Sequence, residues 1–312
     1  MKPSFEHLQP AAFELFGSPR PAGVERRVKA AARHPQPRRA TPVNAAFTLV
    51  ELLVVVAMIG LLAMMLAPTM ARTKTNSASF QCLNNLRQLA FAWKMYADDN
   101  NGGLVYNRDG SQVGKSFGNE AWVGGWLDYT SGTDNTNTAL LIDHNKYPFG
   151  AYLGPYVKTA LVFKCPSDRS TAPMAGGAQP RVRSVSMNSY VGTYGRTWSP
   201  PSRYALCTNF AQIKLPADMF VFLDEREDSI NNGLFYTDPD NLYQMVKYPA
   251  SYHNNAGGFS FADGHSEIHR WKDPRTMPVL HPGQVLTLNV SLPGDGDVLW
   301  LAQRGAGVAS YP

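Results

Sequence analysis

The longest apolar run in the chain covers Leu52–Ala71, where 20 residues pass without a charge. An α-helix of this length spans about 30 Å, which is the thickness of a bilayer core. A buried helix of a globular protein normally carries polar residues every three or four positions, and this run lacks that pattern. The run therefore predicts a transmembrane helix.

The same helix is expected to continue beyond the apolar run. Apolar residues recur there at spacings of three and four, which is the period of an amphipathic helix: Leu83, Leu86, Ala90, Trp93 and Ala97. The polar residues 98–103 (DDNNGG) form a stop signal. We expect a transmembrane half at 47–71 and an amphipathic half at 72–97, with a kink at Pro68.

The rest of the chain, residues 98–312, alternates short β-rich runs with turn residues. This pattern predicts an α+β fold in which the long N-terminal helix packs on a small antiparallel sheet with long loops. The expected strands are Ala160–Lys164, Arg181–Val191, Phe220–Leu223, Gly258–Ala262, Ser266–Trp271 and Val285–Val290. Residues 167–180 are predicted to be the most mobile part.

Charge is distributed unevenly along the chain. The protein carries 29 Lys and Arg against 24 Asp and Glu, a net charge of +5. Residues 1–46 hold 8 basic and 3 acidic residues, so the remaining residues hold 21 of each and are neutral. This balance argues against a nucleic-acid partner. By the positive-inside rule, the basic leader 1–46 lies in the cytoplasm and the C-terminal part lies across the membrane. A secretory signal cleaved after Ala71 is the rival interpretation.

A carboxylate stands at the edge of the apolar run. The residues Ala46-Phe47-Thr48-Leu49-Val50-Glu51 and the apolar helix after them resemble the processing site of type IV pilins and type II secretion pseudopilins. The resemblance implies cleavage between Ala46 and Phe47 by a prepilin peptidase and N-methylation of Phe47. Pro68 stands where that family usually has a proline. The resemblance also implies that Glu51 neutralises the new amino terminus of a neighbouring subunit in a fibre. The partners would be the peptidase, which is also the methyltransferase, other pseudopilin subunits and the bacterial inner membrane.

A second motif lies near the C-terminus. His253, nine residues, then Asp263 and Gly264 resemble the signature of the prepilin-processing-associated H-X9-DG group. Further blocks of that group are similar to Cys82–Leu89, Phe163–Ser167 and Leu223–Glu225. Asp263-Gly264 is also a hairpin turn signal, so a structural role is expected. The alternative is a transition-metal site made by His253, Asp263 and His265.

Two further groups of residues have candidate chemistry. Asp295 and Asp297 are either a solvated turn or, as the pseudopilin resemblance suggests, part of a Ca²⁺ loop. An oxidising compartment permits a disulfide, and Cys82–Cys165 is the favoured pair, which leaves Cys207 unpaired. Apart from a possible structural Ca²⁺, no cofactor is expected.

These observations favour a structural role in assembly over catalysis. The chain has no G-x-S-x-G elbow, no Walker A loop and no dinucleotide fingerprint. We expect a fibre subunit with its head outside the cytoplasm. The alternative is a binding protein that uses the helix only as a tether, for which five tryptophans form a candidate carbohydrate-stacking surface: Trp122, Trp126, Trp198, Trp271 and Trp300.

Overall fold

The computed structural model describes residues 47–192, residue 204 and residues 206–307. The chain divides into two compact units, Met1–Val56 and Ala57–Pro312. Of the first unit, the structure describes residues 47–56, where helix α1 begins.

Helix α1 runs from Leu49 to Asp99 and continues without a break through position 68. It ends where Asn101 and Gly102 adopt positive φ angles of 53° and 80°. The N–H of Gly102 donates to the carbonyl of Ala97 at 2.7 Å, which satisfies one of the last helical carbonyls. The sequence 98–103 therefore acts as the predicted stop signal.

The predicted transmembrane half of this helix is wrong for the part of the chain that the structure describes. Within those residues, no helix is both long and apolar enough to cross a membrane.

The predicted antiparallel sheet also needs correction, because the main sheet is mixed. It has five strands in the order β5-β3-β4-β7-β8. Their bounds are β3 Val185–Asn188, β4 Phe220–Asp224, β5 Leu234–Phe235, β7 Ala256–Phe261 and β8 Ser266–Arg270. Strands β3 and β5 pair in parallel, whereas the other neighbours are antiparallel.

Shorter elements surround this sheet. Two further antiparallel pairs join β1 (Thr171–Met174) to β2 (Gly177–Pro180) and β6 (Gln244–Met245) to β9 (Val290–Ser291). The short helices are α2 (Ala139–Ile142) and α3 (Gly154–Val157), and α4 (Gly296–Ala306) is longer. The β1–β2 hairpin occupies the segment predicted to be most mobile. The predicted strand at Ala160–Lys164 is wrong, because Ala160–Phe163 form a 3-10 helix.

Helices cover both faces of the main sheet. On one face, Leu86, Leu89 and Trp93 of α1 share a buried cluster with Val221 and Phe222 of β4. On the other, Val298 and Leu301 of α4 share a cluster with Phe220, Phe259 and Phe261. The register of β4 against β7 shifts between Phe220 and Phe222. This bulge lets the consecutive residues Val221 and Phe222 join the same cluster.

Candidate functional site

The site begins on helix α1, where Cys82 is 1% exposed and faces strand β7. Gly258 of β7 makes this close approach possible. A Cβ atom at Gly258 would lie 2.7 Å from Cδ1 of Leu86 and 3.1 Å from Sγ of Cys82. Any side chain at position 258 would therefore force Leu86 or Cys82 to shift.

Strand β4 and a preceding loop supply two more groups. Asp224 is the last residue of β4, and its Oδ2 lies 3.4 Å from Sγ of Cys82. Cys165 follows the 3-10 helix Ala160–Phe163. The hydroxyl of Ser184 links the two, because it donates to Oδ1 of Asp224 at 2.6 Å and accepts from the N–H of Cys165 at 2.8 Å. Ser184 thus fixes the orientation of Asp224 relative to Cys165.

The fourth group, His253, lies in the turn before β7. Asn254 and Asn255 adopt positive φ angles of 58° and 60°, a conformation that Asn tolerates better than most residues. The turn directs the ring inward, where Nε2 lies 3.3 Å from Sγ of Cys165 and Nδ1 lies 3.1 Å from Oγ of Ser79. The His253 side chain is buried, and its Nε2 is 3.9 Å from Oδ2 of Asp224.

Together, Cys82, Cys165, Asp224 and His253 form a buried tetrad. One donor atom of each lies within 4.8 Å of the others. Cys82 and Cys165 are free thiols in the structure, so the favoured disulfide is not formed although the two residues are neighbours. Two thiols, an imidazole and a carboxylate are a donor set that suits Zn²⁺.

The buried environment favours the uncharged form of each member of the tetrad. The contact with Cys165 and burial raise the pKa of the Cys82 thiol well above its usual range. The contact with Cys82 favours the Cys165 thiolate, but burial and the nearby Asp224 together outweigh it and raise the pKa of Cys165. Burial raises the pKa of Asp224 to about 7 and lowers the pKa of His253. The charged forms are therefore disfavoured at all four positions.

The metal site predicted from His253, Asp263 and His265 is not assembled. His253 and Asp263 lie at opposite ends of β7, and a strand of six residues spans about 17–20 Å. Asp263 is an exposed turn residue whose Oδ1 accepts from the N–H of His265 at 3.0 Å and lies 2.7 Å from its Nδ1. Gly264 has a φ of 100°, in agreement with the predicted hairpin turn.

The carboxylates of Asp295 and Asp297 accept hydrogen bonds from the backbone and do not line an open Ca²⁺-binding loop. Asp295 is the N-cap of α4, where its Oδ1 accepts from the N–H groups of Asp297 at 2.9 Å and Val298 at 3.3 Å. Oδ2 of Asp297 accepts from the N–H groups of Lys272 and Asp273, both at 2.8 Å. Both carboxylates are buried; Asp295 caps α4, and Asp297 holds the backbone of residues 272 and 273.

At the start of α1, Glu51 takes part in a capping box. Its Oε2 accepts from the N–H of Thr48 at 2.9 Å and from the Thr48 hydroxyl at 2.8 Å, and the Thr48 hydroxyl accepts from the N–H of Glu51 at 3.2 Å. These bonds, the backbone one foremost, lower the pKa of Glu51. Ala46 lies outside the described residues, and Phe47 is exposed.

Most of the described tryptophans do not form a stacking surface. Trp122 and Trp271 are buried, and Trp126 and Trp300 are half-buried. The ring of His269 stacks on the indole of Trp300, with 3.7 Å between the ring centroids. Trp198 lies outside the described residues.

Sequence reasoning missed two features of the site. Asp224 belongs to the tetrad although it was not a candidate ligand, and Glu51 caps its own helix. The sequence contained a signal for both features, the ligand role of Asp224 and the capping role of Glu51. Every block that resembles the H-X9-DG group contributes one member of the tetrad, and T-x-x-E before an apolar run is the signature of a capping box.

Comparison with known proteins adds no family assignment. No family model, no curated protein and no solved structure matches this chain.

Proposed function

We propose that this protein is a pseudopilin-like structural subunit that assembles with other copies through the first part of helix α1. The observation that carries the proposal is a continuous set of exposed apolar side chains at the start of that helix. Its members are Phe47, Leu49, Val50, Leu52, Leu53, Val54, Val55, Val56, Met58, Ile59, Leu61, Leu62 and Met64.

The exposed apolar surface surrounds the helix. Five successive residues, Leu52–Val56, are each between 43% and 64% exposed. Successive residues of an α-helix are rotated by about 100°, so these five side chains point in all directions. A single partner would cover one side only. Several neighbouring helices, as in the centre of a helical fibre, would cover them all.

The free energy available for such assembly is large. Full burial of one such side chain contributes about 1.5–3 kcal/mol. Because these five are about half exposed, covering them supplies on the order of 5 kcal/mol before the cost of association. An exposed apolar surface of this extent is typical of an interaction site.

Glu51 can add specificity to the apolar contact. Its carboxylate already accepts two hydrogen bonds from Thr48. If the precursor is cut between Ala46 and Phe47, the new amino terminus is a cation four residues before this anion. In a packed assembly, the amino terminus of one copy would lie near the carboxylate of another and would fix the stagger between them.

The proposal includes the expected processing and location. The precursor would be cut and N-methylated by a membrane-embedded prepilin peptidase. The second compact unit, Ala57–Pro312, which we call the globular unit, would function outside the cytoplasm in the cell envelope. The protein would act by assembly and not by catalysis.

The first experiment separates the charge of Glu51 from its capping role. Glu51→Gln removes the charge but retains a residue that completes a capping box, whereas Thr48→Ala removes the cap and retains the charge. In cells with a prepilin peptidase and a fibre assembly system, we expect Glu51→Gln to abolish fibres and Thr48→Ala to permit them. Intact mass should show a methylated Phe47 terminus. Assembly by Glu51→Gln at the level of the unaltered protein would contradict the role of the charge, and it is the result expected if the helix is only a tether.

The second experiment tests the apolar surface. Leu53→Glu places a charge on the exposed part of α1 and keeps a good helix former, and Val285→Glu places the same charge on the globular unit. Leu53 is 64% exposed and Val285 is 71% exposed, so both changes should leave the fold intact. We expect Leu53→Glu to prevent sedimentable assemblies and Val285→Glu to allow them. Equal assembly by both variants would refute the proposed interface.

A further inference from the structure

We propose that Cys82, Cys165, Asp224 and His253 bind one zinc ion that fastens helix α1 to the sheet of the globular unit. This inference goes beyond assembly, because it concerns a closed site inside the second unit and needs no other copy. The four ligands come from α1, a loop, the end of β4 and the turn before β7. An ion at their centre would therefore join segments that are far apart in the chain.

Three of the six distances between donor atoms are close to those of one tetrahedral ion, and the other three are within 4.8 Å. Zinc binds sulfur at about 2.3 Å and nitrogen or oxygen at about 2.0–2.1 Å, so neighbouring donors of a tetrahedron are separated by about 3.3–3.8 Å. The corresponding distances are 3.4 Å between Cys82 Sγ and Asp224 Oδ2, 3.3 Å between Cys165 Sγ and His253 Nε2, and 3.9 Å between His253 Nε2 and Asp224 Oδ2. Small shifts of the side chains would complete the site.

The groups around the tetrad hold the ligands in a binding orientation. Ser184 donates to the outer oxygen of Asp224, and Ser79 contacts Nδ1 of His253, which leaves Nε2 directed at the thiols. The N–H of Ser167 donates to Sγ of Cys165 at 3.4 Å. Ligands of zinc typically have such outer contacts, which fix the ring orientation and the basicity of the ligands.

The composition of the tetrad distinguishes zinc from Ca²⁺ and a structural site from a catalytic one. Thiols select zinc over calcium, which prefers oxygen ligands. All four ligands are buried, and four protein ligands leave no open position for water or substrate. A divalent cation would also stabilise the deprotonated thiols and carboxylate, which burial alone disfavours.

The first test measures metal directly on the full chain. After chelation under reducing conditions, zinc alone should rebind with one ion per chain. Cobalt alone should give the visible absorption of a tetrahedral thiolate site. Because both measurements use the unaltered protein, they do not depend on how a variant folds. A reduced chain that binds neither metal at a stoichiometric level would overturn the proposal.

The second test uses matched cysteine variants. Cys82→Ser should lose the bound zinc and the cobalt absorption, whereas Cys207→Ser, which changes a buried cysteine outside the tetrad, should retain both. Ser184→Ala should weaken zinc binding by about 10–100-fold through the lost contact to Asp224. Equal loss of zinc in Cys207→Ser and Cys82→Ser would count against the site.

A thiol count separates zinc from the competing disulfide. The chain has 3 cysteines, so the zinc protein should show three reactive thiols after unfolding in chelator. A single reactive thiol in protein isolated from assembling cells would mean that Cys82 and Cys165 are oxidised to a disulfide, and it would overturn the zinc assignment.

Discussion

Replacing Gly258 by alanine should destabilise the protein because it separates α1 from the sheet. The new Cβ would lie 2.7 Å from Cδ1 of Leu86 and 3.1 Å from Sγ of Cys82. Leu86 is fully buried and Cys82 nearly so, which leaves both little room to move. Gly258 is not among the glycines with positive φ, so the cost is steric and not conformational.

The expected magnitude follows from the size of this overlap. Inserting a methyl group into a packed core typically costs about 1–3 kcal/mol. For a domain of about 150–250 residues, each kcal/mol corresponds to roughly 2–4 °C in the unfolding midpoint. Gly258→Ala should therefore lower the midpoint by several degrees, as measured by thermal or urea unfolding of the purified chain.

A second glycine provides the control for this prediction. At Gly176 an added Cβ atom would meet nothing within 4 Å, and the φ angle of this residue is ordinary. Gly176→Ala should be neutral or stabilising by about 0.4–1 kcal/mol, because it restricts the unfolded chain. If Gly258→Ala is as stable as Gly176→Ala, α1 does not approach β7 as closely as the structure shows.

Three further predictions concern stability. Asp295→Ala should cost about 0.5–2 kcal/mol because α4 loses its N-cap, and Asp295→Asn should cost less in the same urea titration. Burial lowers the pKa of His269 from 6.5 to about 4, so the unfolded chain takes up the proton first and stability falls as the pH drops from 6.5 towards 4. Because the ring beside Trp300 is only half-buried, we expect the free energy of unfolding to fall by about 1–2 kcal/mol over this pH range. His269→Gln should not show this fall. Trp122→Phe should cost about 1–2 kcal/mol because its indole N–H donates to Gly233.

Each of these has an outcome that would contradict it. Equal stability of the alanine and asparagine variants at position 295 would exclude a capping contribution. For His269, the exposed His281→Gln variant should keep the pH dependence of the unaltered protein. A His269→Gln variant that retains this pH dependence would contradict the prediction and point to another titrating group. A Trp122→Phe variant as stable as the unaltered protein would show that the bond to Gly233 contributes nothing.

Local patterns predicted the parts of the fold that depend on local structure. The helical period across Leu86, Ala90, Trp93 and Ala97 correctly marked the buried face of α1. The hairpin at Gly264 was also predictable, because its turn requires a positive φ angle that glycine adopts without strain. Such features are determined by neighbours a few residues apart.

The tetrad could not be predicted in the same way, because its contacts are non-local. Sequence proximity suggested Asp263 and His265 as partners of His253, but a strand separates them. His253 instead contacts Cys165, which is 88 residues away in the chain. The proximity of Cys82 and Cys165 was anticipated, whereas the parallel pairing of β3 with β5 had no signal in the strand pattern.

The order of the main sheet has a consequence for unwanted aggregation. Its end strands are β5, which has only two residues, and β8, which presents Glu267, His269 and Arg270 along a partly exposed edge. Short or charged end strands discourage the backbone of another molecule from extending a sheet. Amyloid-like stacking of the globular unit is thus opposed on both flanks, even when the protein is highly concentrated.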